Sequence, residues 1–184
     1  MSCGKGRSAR SSILAGGTVL RLTGPVPERR FDQLVRTHHR AVRTYASSFA
    51  SSRTVAEDAV QETFLRAWRH LDAFRGDGTL EGWLIRICRR CVIDLERRER
   101  RAARPVERPS AWCEDPDLSG EAFAVLETLT RDHREVLVIC GVLGYDYESA
   151  AAVLDLPVGT VRSRLHRARA AFAAALDVDD SRSA

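Results

Sequence analysis

Residues 147–169 read YESAAAVLDLPVGTVRSRLHRAR. A short helix of small residues, a turn at Asp155 and a second helix from about Val158 form the helix-turn-helix pattern. Asp tolerates the left-handed backbone conformation that such a turn requires. Ala151 falls where two steeply crossing helices leave room only for a small side chain. The stretch therefore predicts a helical domain that can place one helix in a DNA major groove.

The second helix of this stretch divides into two faces. An apolar face recurs at spacings of three and four residues, which predicts burial of Val161, Leu165, Ala168 and Phe172. A polar face near the N-terminal end suits the reading of base edges and comprises Arg162, Ser163, His166 and Arg167. Thr160 and Ser163 suit the end of a helix that rests on a phosphate backbone, and Arg164 and Arg169 lie on the flanks, where they are placed for phosphates. The alternative is an ordinary helix with a solvated basic face. The turn and the lack of any acidic residue between positions 158 and 175 favour DNA binding.

Amphipathic helices are predicted in much of the remaining chain. The first begins at Glu28 and carries its apolar residues at three- and four-residue spacings: Phe31, Leu34, Val35, His38, Val42, Tyr45 and Phe49. The second begins at Thr54, an expected N-cap with Glu57 three residues on, and its apolar stripe is Ala56, Ala59, Val60, Phe64, Ala67, Trp68 and Leu71. A third helix opens near Thr79 and runs into an arginine-rich end. Helical patterning resumes at 121 and continues to Gly144.

These patterns predict an all-α fold of two small helical domains. The expected boundaries are a disordered arm at 1–27, a helical domain at 28–101, a linker at 102–119, a second helical domain at 120–178 and a tail at 179–184. Prolines punctuate the acidic linker, so we expect it to be extended. Two small domains joined in this way have few reasons to pack tightly together.

Charge and cysteine content narrow the class of protein. The net charge is +4, and basic blocks at 86–108 and 162–169 flank the acidic stretch at 109–130. This favours an anionic partner, although Lys5 as the single lysine among 29 basic residues also fits a coding bias towards arginine. Five cysteines form an odd set without a dense framework, which favours a reducing compartment. The apolar run at 13–20 is too short for a secretory signal, so a cytoplasmic location is expected.

A second constellation lies in the second helix. Asp58, Gln61, Glu62 and Leu65 share one side at spacings of three and four residues, and we call them the α2 ridge. Such a ridge can dock on a basic protein surface, and it can equally be a solvated face.

Together these motifs resemble the extracytoplasmic-function (ECF) sigma factors, the smallest sigma factors of bacterial RNA polymerase. The resemblance spans residues 29–177. Residues 58–64 look like region 2.2, residues 74–76 and 83–84 look like region 2.3, and the arginine-rich end of the third helix looks like region 2.4. Residues 121–176 look like region 4, and 157–169 form the most specific string.

The resemblance implies partners and roles for these residues. Core RNA polymerase would bind the α2 ridge. The −10 promoter element would meet the loop and third helix through Phe74, Arg75, Trp83, Arg86 and Arg90. The −35 element would meet Thr160, Arg162, Ser163, Arg164, His166 and Arg167. The family implies no catalytic residue, no cofactor and no metal, and a separate anti-sigma factor would control activity.

Some residues depart from the family pattern or allow more than one interpretation. Asp155 stands where the family usually has Gly, and Ala150 replaces a larger aliphatic residue, which would thin the packing of the first helix of the motif. Cys88 and Cys91 form a Cys-x-x-Cys on the apolar side of the third helix, where packing is favoured over a metal or redox site. A stand-alone helix-turn-helix regulator is the alternative function. An enzyme is disfavoured because phosphate-loop and nucleophile motifs are missing.

Overall fold

A computed structural model describes residues 28–76, 78–102 and 120–180. Its regular elements are helices: α1 (Glu28–Phe49), α2 (Arg53–His70), α3 (Leu80–Arg101), α4 (Gly120–Thr128), α5 (Arg131–Leu137), α6 (Tyr147–Leu154) and α7 (Val158–Asp180). A 3-10 turn follows α2 at Leu71–Ala73, and a π-helical turn follows α5 at Val138–Val142. The all-α prediction is confirmed. The expected arm at 1–27 and nearly all of the expected linker lie outside the described residues.

The first half of the chain, α1 to α3, is a three-helix bundle. Its centre is fully buried and includes Val42, Tyr45, Leu84, Ile85 and Val92. The predicted start of α3 is confirmed, because the Thr79 hydroxyl accepts a hydrogen bond from the Gly82 N–H at 3.0 Å.

The predicted cap of α2 is wrong by two residues. Ser52 is the N-cap, and its hydroxyl oxygen accepts from the Val55 N–H at 3.2 Å. Thr54 already lies in the first helical turn, where its side chain cannot cap the helix. Glu57 consequently forms no capping box and pairs with Arg53 at 2.8 Å.

Trp68, which the sequence places in the apolar stripe of α2, lies outside the core. Its side chain is 43% exposed and meets the Phe31 ring edge-on, with 4.8 Å between centroids. Ala67 and Leu71 fill the core at this level, so α2 turns Trp68 towards the outside. Trp68 follows Leu65 by three residues, which places it next to the α2 ridge.

Both cysteines of the Cys-x-x-Cys pair lie in the bundle core. Cys88 is fully buried, and its Sγ lies 3.7 Å from the Val42 carbonyl oxygen. Burial raises the pKa of Cys88 to about 12 and also raises the pKa of Cys91. A thiolate is disfavoured in this setting, so both residues pack as small apolar side chains.

The second half, α4 to α7, contains the helix-turn-helix. The continuous pattern predicted from 121 to 143 is interrupted at Thr130, which caps α5. Asp146 caps α6 by accepting from the Ser149 N–H at 2.6 Å. Asp155 adopts φ 57° and ψ 51°, which confirms the predicted left-handed turn between α6 and α7. Ala150 is fully buried, so this position belongs to the core of the second half.

The two halves are in direct contact, contrary to the expectation that they have little reason to pack together. Helix α6 packs on α3, and α4 and the π-helical turn meet α1. Gly82 of α3 allows this approach, because a Cβ there would lie 3.3 Å from a Val153 methyl carbon. In the described part of the chain, no helix combines the length and apolarity that a membrane span requires.

The left-handed turn generates a test of stability. Asp155→Val is expected to lower the free energy of unfolding by about 1–2 kcal/mol, because a β-branched residue is strained at positive φ. Asp155→Gly is expected to be neutral or stabilising, since Gly adopts this conformation freely. Urea denaturation measures both. The control is Glu148→Val at an exposed helical position, with an expected cost below about 0.7 kcal/mol. Equal losses for the two valine variants would contradict the role of the turn.

Candidate functional site

Helix α7 presents the two faces that its sequence predicts, except that Phe172, which was predicted to be buried, is only half-buried. Val161 and Ala168 are fully buried and Leu165 nearly so, which fixes the rotation of the helix against α5 and α6. The opposite side is exposed to solvent and carries Arg162, Ser163, His166 and Arg167, which we call the α7 face. Arg162 and Arg167 give this face positive charge, and Ser163 and His166 add polar groups beside them. This surface suits contact with an anionic groove.

An aromatic ring supports Arg162. The guanidinium carbon lies 5.3 Å from the centroid of the Tyr147 ring, within the range of a cation–π contact. Tyr147 is the first residue of α6 and is 36% exposed. A cavity of about 540 Å³ opens beside the pair and is lined by Tyr147, Arg162, Leu165, His166, Arg169 and Ala170. No role was predicted for Tyr147, although its place at the start of the motif's first helix was a usable signal.

The flanking residues of α7 are more constrained. Arg164 pairs with Asp132 of α5 at 3.0 Å, and its side chain is 30% exposed. Asp132 is 59% exposed, so solvent screens this pair and a phosphate can replace the carboxylate. Thr160 is half-buried, and its carbonyl accepts from the Ser163 hydroxyl at 3.1 Å.

The α2 ridge is largely open to solvent. Asp58 and Gln61 are exposed, and Leu65 is 50% exposed, an unusual level for a large apolar side chain at the middle of a helix. Glu62 is half-buried and accepts from Arg66 Nε at 2.7 Å, which raises the pKa of Arg66. Three of the four predicted residues are therefore free to meet a partner, while Glu62 is shared with its own helix.

The loop before α3 brings two aromatic rings together. Phe74 and Trp83 have centroids 5.7 Å apart at an interplanar angle of 51°, and both are partly buried. Gly76 and Gly78 both have positive φ, which allows the chain to turn between Phe74 and Trp83. Arg75, which follows Phe74 in the chain, is exposed.

Two arginines of α3 complete this region. Arg90 is exposed and Arg86 is half-buried, and the two are four residues apart on one side of the helix. The region therefore combines aromatic faces with guanidinium groups, the chemistry that stacks on and neutralises single-stranded nucleic acid.

Polar contacts between the two halves were not predicted. The Tyr45 hydroxyl donates to Glu135 Oε1 at 2.6 Å, and Arg89 Nε donates to the same oxygen at 2.8 Å. Burial, together with the nearby Glu135 carboxylate, raises the pKa of Tyr45 and keeps its hydroxyl as a donor. Glu135 is 90 residues from Tyr45 in the chain, so nothing local in the sequence indicates the pair.

A second polar cluster connects the halves through Glu81. Its Oε2 lies 3.1 Å from His38 Nδ1, and its Oε1 accepts from the Tyr145 hydroxyl at 3.0 Å. The His38 contact is the main cause of the lowered pKa of the Glu81 carboxyl. Tyr145 belongs to the second half of the chain, whereas His38 and Glu81 belong to the first.

Comparison with known proteins places the chain among characterised sequences. Family models match at residues 34–102, described as Sigma-70 region 2, and at residues 120–172, described as Sigma-70, region 4. The matched ranges correspond to the two helical halves. Each contains one of the two constellations singled out above.

Similar proteins include ECF RNA polymerase sigma factor SigE of Mycolicibacterium smegmatis, 36% identical over 151 residues. That match covers 76% of this chain but 58% of the relative. ECF RNA polymerase sigma factor EcfG of Rhodopseudomonas palustris is 36% identical over 146 residues, covering 76% of this chain and 81% of the relative. A similar solved structure is the sigma factor RpoE of Bartonella quintana in complex with the anti-sigma factor NepR. It has a TM-score of 0.68 and 31% identity, covering 82% of this chain and 99% of that chain.

Proposed function

The chain belongs to the sigma-70 family as an ECF sigma factor, and we propose that it binds core RNA polymerase and directs transcription initiation at promoters with −10 and −35 elements. The observation that carries this proposal is the presence of two exposed surfaces, the α2 ridge and the α7 face, in one chain. As a DNA-binding regulator, it would leave the chemistry of RNA synthesis to the polymerase and act in the cytoplasm.

The polymerase contact is assigned to the α2 ridge. Asp58 and Gln61 offer polar groups, and Leu65 adds apolar area that water hydrates poorly. Apolar residues inside a polar rim are typical of protein interfaces. Glu62 contributes in one of two ways. Its carboxylate leaves Arg66 and binds the polymerase, or it stays paired and orients the Arg66 guanidinium towards the polymerase.

The −10 contact is assigned to the loop and α3. Phe74 and Trp83 supply ring faces on which an unpaired base can stack, a contact worth about 1–3 kcal/mol per base. Arg75, Arg86 and Arg90 neutralise the backbone phosphates around the separated strands. Binding energy of this size favours local melting of the duplex.

The −35 contact is assigned to the α7 face in the major groove. Arg162, His166 and Arg167 present donors to base edges, while Arg164 and Thr160 meet the phosphate backbone. Tyr147 limits the freedom of Arg162 before DNA arrives.

Control by an anti-sigma factor completes the proposal. The Bartonella quintana structure holds a related sigma factor bound to such a protein. We expect an equivalent partner to cover the α2 ridge and so compete with polymerase. A stand-alone helix-turn-helix regulator is not favoured, because it would leave the region 2 match and the exposed ridge without a role.

Transcription reconstituted from purified parts tests the proposal directly. Core polymerase with this chain is expected to yield run-off products from defined start sites on genomic promoter fragments, and core polymerase alone is not. A folded sample that gives no start-site-specific product on any fragment would overturn the proposed function. Specific binding to an operator by the isolated chain would instead support the stand-alone regulator.

Substitutions in the α2 ridge separate binding from folding. Asp58→Ala with Gln61→Ala is expected to weaken core polymerase binding about tenfold, equivalent to about 1.4 kcal/mol. The free energy of unfolding should change by less than about 0.5 kcal/mol, because both side chains are exposed. Fluorescence anisotropy and urea denaturation measure the two quantities. Glu57→Ala is the control on the same helix, and it should leave binding unchanged. A loss of stability equal to the loss of binding would make the ridge structural.

Two arginines of α7 are expected to behave differently on DNA. Arg167→Ala should cost about 1–3 kcal/mol at one base pair of the −35 element and relax preference there. Arg164→Ala should weaken all promoters alike, because a phosphate contact carries no sequence information. Competition among single-base promoter variants, bound by the polymerase complex, measures both. Uniform weakening by both substitutions would show that the assignment of faces on α7 is wrong.

A further inference from the structure

The side chain of Arg162 is held by an aromatic ring and not by a carboxylate. Its guanidinium carbon lies over the Tyr147 ring, 5.3 Å from the centroid. Among the described residues, no aspartate or glutamate forms an ion pair with Arg162. Arg164 differs in this respect, because its guanidinium pairs with the Asp132 carboxylate at 3.0 Å. The two arginines therefore meet a partner in different states.

The two kinds of support leave different groups available to a base. A carboxylate occupies guanidinium N–H donors and neutralises the charge, so it must be displaced before the arginine binds elsewhere. An aromatic ring attracts the cation through its π face, and the N–H donors at the edge of the guanidinium plane stay available. A bidentate contact with a guanine edge uses those in-plane donors. Support by Tyr147 can therefore persist while Arg162 binds a base.

Two packed helices fix the position of the ring relative to the guanidinium. Tyr147 is the first residue of α6, and Asp146 caps this helix by accepting from the Ser149 N–H at 2.6 Å. Arg162 directly follows Val161, which is fully buried and fixes the rotation of α7 at this point. Helix α6 also packs on α7. Regular helical backbone therefore holds both partners of the cation–π contact.

Arg162 has room for other positions beside the ring. A cavity of about 540 Å³ opens there, and His166 and Arg169 contribute to its lining. Arg169 carries the same charge as Arg162, so repulsion disfavours a second guanidinium inside the cavity. An arginine side chain loses rotamer freedom when it binds. The ring and the like charge therefore remove part of that loss before a partner arrives.

We propose that Tyr147 is a specificity-determining positioning residue, which acts on one base pair through Arg162. This inference rests on the proposed function, because it requires promoter DNA on the α7 face. An oriented Arg162 gains affinity only where its bidentate contact forms. On a mismatched base pair the contact is missing, so the same orientation gains nothing there. Tyr147 therefore raises discrimination at this base pair and leaves discrimination at the other positions unchanged.

Replacement of the ring in the full chain tests this assignment. Competition among single-base promoter variants, bound by the complex with core polymerase, first identifies the base pair at which Arg162→Ala removes the preference. Tyr147→Leu keeps apolar cover without a π face and should lower discrimination at that base pair about two- to fivefold. Tyr147→Phe keeps the face and should discriminate as wild type does. Ala152→Leu, which adds the same side chain at an exposed position of α6, is the control and should also match wild type.

The double variant Arg162→Ala, Tyr147→Leu separates positioning from an independent contact. If Tyr147 acts through Arg162, its replacement should add no loss once the guanidinium is gone. Unchanged discrimination by a folded Tyr147→Leu variant would overturn the inference. Equal weakening of all promoters by Tyr147→Leu and Tyr147→Phe would also overturn it, because the hydroxyl would then be a phosphate contact. If Tyr147→Leu does not fold in urea denaturation, Tyr147→Gln, which also has no ring, decides.

A measurement on the free chain keeps this inference distinct from the proposed function. An aromatic ring shifts the NMR resonances of protons above its face to higher field. The Cδ protons and the Nε–H of Arg162 should show this shift in wild type and in Tyr147→Phe, and lose it in Tyr147→Leu. Normal run-off transcription without the shift, or with unchanged discrimination, contradicts only the inference. A wild-type chain that shows the shift but gives no start-site-specific product contradicts the proposed function, and the specificity role fails with it.

Discussion

A carboxylate buried between the two halves of the chain needs partners, and this need organises the closed structure. Glu135 cannot stay desolvated alone, so Tyr45 and Arg89 must approach it together. That requirement sets how α5 lies against α1 and α3, and it brings α6 onto α3 at Gly82. Buried ion pairs add little net stability compared with apolar packing, yet they are costly to break singly. An interface built in this way specifies one arrangement and can still be released by a competing partner.

The fold keeps two of its proposed binding surfaces away from that interface. The α2 ridge and the α7 face remain exposed while the halves are docked, with Leu65 half-exposed and Arg162 held by Tyr147. Contact between the halves therefore restrains the chain by holding its reading helices in one compact body. An anti-sigma partner that covers the ridge would act on a chain that is already compact. The two forms of restraint would add to one another.

The sequence predicted the structure correctly where local backbone propensity and helical spacing determine it. The left-handed turn at Asp155 and the division of α7 into buried and exposed faces follow from local propensity and helical spacing. Trp68 was misplaced because an apolar stripe does not say which of its members reaches the core. Ser52 rather than Thr54 caps α2, an error of two residues where several capping residues adjoin. Glu135 is 46 positions from its partner Arg89 and 90 positions from its partner Tyr45 in the chain. No periodic pattern in the sequence can indicate contacts over such separations.

The distance between the halves, in the free chain and on a promoter, tests the account most directly. Fluorophores carried by unnatural amino acids at the exposed positions Thr54 and Ala173 would report this distance by energy transfer. The account predicts high transfer in the free protein and a large loss in the complex with core polymerase and promoter DNA, because α3 and α7 must separate to reach two different promoter elements. Equal transfer in the two states would contradict the account, whether the common value is high or low.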